Sequence, residues 1–461
     1  MHTNILIACR LFARAAYRLG TVAKTLPVIP LLLITHSTGA QSKATRAIDV
    51  IHYHAQITPD LSGRTLTGKV SVRFKRTTDT LSAVRFDCGA LAIDSVREGN
   101  RAVPFKQRGH FLDLTLPPAG PDLVRELVIS YHGRPRYGIV FFPDQEQVYT
   151  LYATSQWMVC QDHPSDKASL QLDLVLPKHL RVVANGQLVD TLPLAGNKVL
   201  YQWRENTPIP TYTFGFAAGR FREITQQYQT ADRRQIQLRY LTANFSEAEL
   251  ERIFYLTGDM LAFFEEKAGL PYHGSHYTQL LAAGTPAQEM SDFTVIRENY
   301  GQEVLADEKG IWLLAHELAH QWWGNQVTCQ NWNHFWLNEG MATFMSSAYR
   351  EFRFGRQEYD KDIEAAKASY LKVRQAGKDR SLVFPNWDAP SPEDRVLVYQ
   401  KGAYVLHLLR EELGEKHFWG GLRAYTRAYW GQSVTTDEFQ TAMEKASGRN
   451  LTDFFTKWVY K

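Results

Sequence analysis

The residues His316-Glu-Leu-Ala-His320 set two imidazoles and a carboxylate within one helical turn of each other. On a helix, residues four apart lie one above the other on the same face. Both rings can then reach a single zinc ion, with Glu317 beside it to take a proton from water on the metal. The chemistry this suggests is metal-assisted hydrolysis. A pattern with three fixed positions arises by chance in roughly a few per cent of chains this long, so the surroundings have to decide.

A catalytic zinc needs a third protein ligand and one open position. A third His six residues after His320 would supply it, but that position is Gln326. Glu339 instead follows His320 after eighteen intervening residues, at the start of the next predicted helix. That interval is long enough to end one helix at Gly324, cross a loop and return a carboxylate. Two His with one Glu is the ligand set of thermolysin-type zinc sites. Alone, Glu339 would read as a helix-start carboxylate near the positive end of the dipole. Beside the His pair, the ligand reading is favoured.

The elements that must hold these groups fall into two regions. Residues 45–222 read as β-structure: Ile48–Ile57 alternates in part, Val70–Phe74 alternates cleanly, and Leu170–Leu176 does so over most of its length. Turn signals at Ser62-Gly63, Asn185-Gly186 and Gly196-Asn197 separate the runs. Near residue 245 the period changes. Ser246-Glu-Ala-Glu249 reads as a capping box opening a long helical run to Gly269, and a helix is predicted from Ala306 to Trp323. Further helices are predicted at Asn338–Phe352, Lys401–Leu413, His417–Trp430, Thr436–Ala446 and Leu451–Val459, with strands at Gln235–Thr242 and His276–Ala283. The expected fold is α+β in two domains: an all-β saddle or sandwich over 41–222, then a mainly helical catalytic domain over 223–461.

With 461 residues, 44% of them apolar and 22% charged, the composition is that of a folded protein of two or three domains. The formal net charge is +4, and Arg10, Arg14, Arg18 and Lys24 account for all of it. The rest of the chain is neutral, so overall charge gives no support to a nucleic-acid or anionic-membrane partner. Residues 1–40 order a basic region, the apolar run Leu26–Ile34 and the small residues Thr38 and Ala40, as a signal peptide does. The apolar run is shorter than the roughly 20 residues that span a bilayer. Export to a periplasmic or extracellular space after leader cleavage is expected, with no membrane anchor left. An organelle presequence is the alternative, because the three Arg recur every four residues. Beyond the leader, Cys88, Cys160 and Cys329 form no metal pair and no disulfide framework.

The run His316-Glu-Leu-Ala-His-Gln-Trp-Trp-Gly-Asn-Gln-Val-Thr328, followed by Trp336-Leu-Asn-Glu-Gly340, closely resembles the aminopeptidase N family of gluzincins, which includes leukotriene hydrolase-type enzymes. Cys160-Gln-Asp-His-Pro-Ser-Asp-Lys167 and Tyr399-Gln-Lys-Gly-Ala403 resemble two further family segments in the same order. The likeness runs from about residue 45 to the end of the sequence. It implies one zinc ion, peptide substrates, and a thermolysin-like catalytic domain behind a β-domain. It also implies that the hydroxyl of Tyr399 stabilises the oxyanion formed from the scissile carbonyl, as a neutral phenol can.

Family aminopeptidases hold the substrate amine through a Gly-x-Met-Glu-Asn segment. The counterpart here is Pro286-Ala-Gln-Glu-Met290, which keeps the carboxylate as Glu289. Pro286 stands for the glycine and has no N–H for a substrate carbonyl, and Met290 stands for the asparagine. By itself Glu289 would be a solvated loop carboxylate. Gln156 is a weaker candidate for a second amine contact. The sequence stops where the family's catalytic domain ends, without the helical domain that usually caps the cleft, so a more open cleft accepting longer peptides is expected. The reading is a zinc aminopeptidase with Glu317 as general base. The alternatives are an endopeptidase on the same scaffold, favoured by the altered amine segment, and a catalytically silent peptide-binding relative.

Overall fold

Period-two alternation builds the first half of the chain. In Ile48–Asp60, the residues Ile48, Val50, Tyr53, Ala55 and Ile57 are buried, with a register shift between Val50 and His52 that resets the alternation. A computed structural model describes residues 48–77, 83–117, 123–284, 287–384, 387 and 390–461. The expected leader and Pro286 lie outside the described residues.

An eight-stranded sheet runs in the order Gln187–Leu194, Lys198–Pro210, Lys167–Pro177, Ile48–Asp60, Thr65–Arg76, Arg125–Gly133, Ala92–Glu98 and Arg101–Ala102. Its pairings are antiparallel except that of Ile48–Asp60 with Lys167–Pro177, which is parallel. A three-stranded sheet and a four-stranded sheet complete this region, and the large hydrophobic core of the first half gathers their inner residues. The all-β expectation holds for this part of the chain.

A five-stranded sheet leads to the helices, in the order Arg222–Gln229, Gln235–Thr242, His276–Ala282, Phe293–Arg297 and Ala287–Met290. Its middle strands are parallel, and every residue of His276–Ala282 is buried, as helices on one side and sheet on the other require. A small cluster including Tyr149, Ala217, Leu280, Met290 and Phe293 joins this sheet to the four-stranded sheet.

The helical half follows the predicted outline with particular differences. The Ser246 capping box forms, but its helix ends at Phe254 and a second one runs Thr257–Ala268. The helix predicted for Ala306–Trp323 is shorter. Tyr300–Ala306 is separate, a 3-10 turn covers Glu308–Gly310, and the metal-motif helix spans Trp312–Ala319 with His320 at its C-cap. Asp307, whose side chain accepts from the N–H of Lys309 at 3.0 Å, divides the two. Helices follow at Trp336–Phe354, Arg356–Gln375, Thr436–Ser447 and Thr452–Trp458. The segment Gly402–Ala428 is helical on both sides of Gly414, whose φ of 74° kinks it where two helices were expected. Among the described residues, no helix is long and apolar enough to cross a membrane.

Candidate metal and catalytic site

His316, inside Trp312–Ala319, and His320, at its C-cap, leave the same face of the helix, and their Nε2 atoms stand 3.1 Å apart. Glu339, in the first turn of Trp336–Phe354, brings Oε2 to 3.2 Å from His316 Nε2 and 3.4 Å from His320 Nε2. All three residues are buried. Tetrahedral ligands held about 2.0–2.1 Å from a zinc ion stand roughly 3.3 Å from one another. The three lone-pair atoms therefore already have the mutual spacing that one such ion requires, and as two nitrogens and one carboxylate oxygen they are the right donors.

The outer contacts fix both ring orientations. His320 Nδ1 donates to the carbonyl of Trp323 at 3.1 Å, which turns the Nε2 lone pair toward Glu339. Gly324 makes room for this, since a Cβ there would lie 2.8 Å from His320 Nδ1. Thr343, one turn beyond Glu339, donates to the Glu339 carbonyl at 2.7 Å and lies 3.4 Å from His316 Nδ1.

The electrostatics favour positive charge at this point. Burial opposes the His320 cation, but the carboxylates of Glu339, Glu289 and Glu317 outweigh it and raise its pKa. Burial likewise pushes Glu339 up, yet His320 and His316 bring it down to about 2, so it stays a carboxylate. Burial and the charge of Glu289 drive Glu317 well above the usual carboxylate range. A cation held by His316, His320 and Glu339 would oppose that rise and leave Glu317 a carboxylate able to accept a proton. Its Oε2 is buried without a hydrogen-bond partner, which leaves one polar atom able to exchange a proton with a molecule in the site.

Glu289 is no solvated loop group. It lies on the strand Ala287–Met290, only 4% exposed, and one of its oxygens falls within 4.8 Å of ligand atoms of both Glu317 and His320. Burial pushes its pKa up to about 7. Its main chain is tied to the metal-motif segment: Asn325 Nδ2 donates to the Glu289 carbonyl at 3.1 Å, and Gln321 Nε2 to that of Met290 at 3.0 Å. Tyr399 stacks on His316, ring centroids 6.0 Å apart and planes 13° from parallel. A π-helical turn over Leu397–Lys401 presents it, a feature frequent at functional sites. Burial first, then the nearby carboxylates, hold its phenol protonated.

Six of the seven expected residues are thus brought together. The seventh, Gln156, is not. Its side chain packs against Gly89 and Gly138 inside the β-region, where glycines alone leave it space. The residue that reaches the site from this loop is Tyr152, whose phenol donates to the carbonyl of Ala287 at 2.7 Å. Its φ of 49° comes from a local turn, for which the sequence carries no signal. Lys167, in the segment Cys160–Lys167, donates from Nζ to the carbonyls of Gln326 (2.6 Å), Gln432 (3.1 Å) and Asn325 (3.3 Å). It anchors the loop that follows His320 to the β-region. Cys88, Cys160 and Cys329 are buried and free.

Residues 254–458 match the Peptidase family M1 domain and residues 50–213 the Peptidase M1 N-terminal domain. Probable aminopeptidase 2 of Sulfurisphaera tokodaii is 26% identical over 406 residues, covering 83% of this chain and 50% of that protein. Leucine aminopeptidase 2 of Aspergillus clavatus is 29% identical, covering 65% of this chain and 50% of its own length. The chain spans about half the length of these relatives. The fold is that of the M1 zinc metallopeptidase of Deinococcus radiodurans, with a TM-score of 0.77 at 24% identity over 90% of this chain and 94% of that one. A mutant of that protein, solved with a Tyr-Ser-Ala substrate, aligns with a TM-score of 0.77 at 23% identity, over 90% of this chain and 95% of that one.

Proposed function

We propose that this chain, which belongs to peptidase family M1, is a zinc-dependent aminopeptidase that removes the first residue of peptides. His316, His320 and Glu339 would hold the ion, and Glu317, Tyr399 and Glu289 would act on the substrate. When bound there, zinc lowers the pKa of water and polarises the scissile carbonyl as a Lewis acid.

The chain's own residues carry the rest. Water adds to the scissile carbonyl carbon, and its proton passes to the unpartnered Oε2 of Glu317. Tyr399, kept as a neutral phenol, donates to the oxyanion that forms. Glu317 then delivers the proton to the leaving nitrogen as the C–N bond breaks. Glu289 pairs with the ammonium group of the first residue.

The observation that carries the exopeptidase reading is the closeness of Glu289 to Glu317 and His320, within 4.8 Å. The nitrogen and carbonyl carbon of a single residue lie only about 2.5 Å apart. A carboxylate that selects a free amine one residue from the scissile bond must therefore sit next to the general base, as Glu289 does. The relatives named aminopeptidases support the same reading. The order of basic, apolar and small residues in 1–40 supports export.

A fluorogenic peptide series with free and with acetylated N-termini tests this on zinc-loaded protein and its chelated control. Hydrolysis of the free-amine series alone, abolished by chelator and restored by zinc, is expected. Equal hydrolysis of the acetylated series would make the protein an endopeptidase, the reading that the replacement by Met290 favours.

A further inference from the structure

Glu289 is held in two ways that come from different parts of the chain. Its main chain is tied by Asn325, from the loop that follows His320. Its carboxylate is tied by Gln288, whose Nε2 donates to Glu289 Oε2 at 2.7 Å. Gln288 is fully buried, and its other amide atom, Oε1, accepts the main-chain N–H of Tyr152 at 3.0 Å.

The direction of this relay follows from the donors. A main-chain N–H can only donate, so it fixes Oε1 of Gln288 on the Tyr152 side. The amide nitrogen must then face Glu289. That leaves Oε1 of Glu289 as the oxygen not taken by Gln288. Tyr152 also clamps the strand through its phenol and the Ala287 carbonyl, 2.7 Å apart. The preceding strand Gln147–Thr150 holds Ala283 as well: Gln147 Oε1 accepts its N–H at 2.9 Å, and the Tyr149 hydroxyl donates to its carbonyl at 2.5 Å. The Tyr152 backbone keeps a left-handed φ of 49°, which a bulky residue adopts only when its surroundings enforce it.

The geometry points to Gln288 as the residue that positions the amine-binding carboxylate, and to Tyr152 of the β-region as the residue that positions Gln288. Both are positioning residues for substrate selection, and the inference rests on the reading of Glu289 as the ammonium partner. The metal-motif loop sets where Glu289 stands. The β-region sets which way its carboxylate faces.

The test uses the full zinc-loaded chain, with free-amine and acetylated peptides and zinc content measured alongside. Gln288→Leu keeps the volume and removes both polar atoms. Its KM for free-amine peptides should rise about tenfold, the loss expected for one hydrogen bond to a charged group. Its kcat and bound zinc should stay near wild type, a split that general loosening of the fold would not give. Glu289→Gln is the reference. If Glu289→Gln keeps full discrimination between the two series, the reading of Glu289 itself fails. If Glu289→Gln loses it while Gln288→Leu keeps the wild-type KM, only the relay is overturned. Tyr152→Phe, at a partly exposed position, removes just the phenol contact with Ala287. A smaller rise in the same KM is expected, and an unchanged KM overturns the phenol clamp on Ala287, the variant keeping the main-chain N–H that Gln288 accepts.

Discussion

Gly340 and Gly402 meet backbone to backbone: a Cβ on Gly340 would lie 2.9 Å from the Cα of Gly402, and one on Gly402 equally close to the Cα of Gly340. One glycine follows Glu339 directly, and the other lies three residues beyond Tyr399. The contact sets how near the helix that carries Glu339 comes to the turn that carries Tyr399. Gly402→Ala is expected to spread the two. Overpacking of this kind costs about 1–3 kcal/mol. A lowered melting temperature with a kcat falling more than zinc content is the expected pattern. A variant with wild-type kcat and stability would show that the contact is not needed.

Glu317 and Glu339 should separate into different phenotypes. Glu317→Gln keeps the shape and loses the proton acceptor, so turnover should fall by roughly 10²–10⁴ while one zinc per chain is retained. Glu339→Ala removes a metal-facing oxygen, so zinc should dissociate more readily under a chelator. Metal analysis after dialysis distinguishes them. Wild-type rates from Glu317→Gln would remove it as the base.

Tyr399→Phe should lower kcat by about 10²–10³, the range for a lost oxyanion donor, with little change in KM. Stacking on His316 is kept by the phenylalanine ring, so zinc affinity should not change. A rise in KM at constant kcat would instead make Tyr399 a binding residue.

Lys167 gives the pH dependence. Burial lowers its pKa from 10.5 to about 7. Between those values the unfolded chain binds more protons than the folded one, so stability rises with pH across the window. Below about pH 7 the ammonium is buried at full cost, and above it that cost is progressively lifted. Urea unfolding at pH 6.5 and pH 9 on wild type and Lys167→Met should show the difference between the two proteins shifting in favour of wild type at the higher pH. A difference independent of pH would mean that Lys167 titrates normally.

The metal cluster was legible because helical spacing alone aligns His316 with His320, and because Glu339 opens the next amphipathic run. Tyr399 was legible only through the resemblance of its segment, since a π-turn leaves no periodic trace. Gln288 and Tyr152 were not read at all, because one depends on a tertiary contact and the other on a left-handed turn. Gln156, three residues before the buried pair Val159 and Cys160, belongs to the packing of the β-region. Other misses had a signal. Tyr359, Ile363, Ala366, Tyr370 and Val373 are buried in Arg356–Gln375 at a helical spacing that is visible in the sequence, although no helix is expected there above. The break at Tyr255-Leu256 had none, because apolar residues continue through it.

The contacts of Gln147, Tyr149 and Tyr152 with Ala283, Ala287 and Gln288 bear on how such a protein can change by descent. On the reading proposed for Glu289, selectivity would be a shared property. Neither half would specify it without the other, so recombination that joined this catalytic half to a foreign β-half would keep the three metal-facing side chains and lose the discrimination between substrates. The two halves are expected to be inherited as a pair, and to drift together at the seam more slowly than either does on its outer surface.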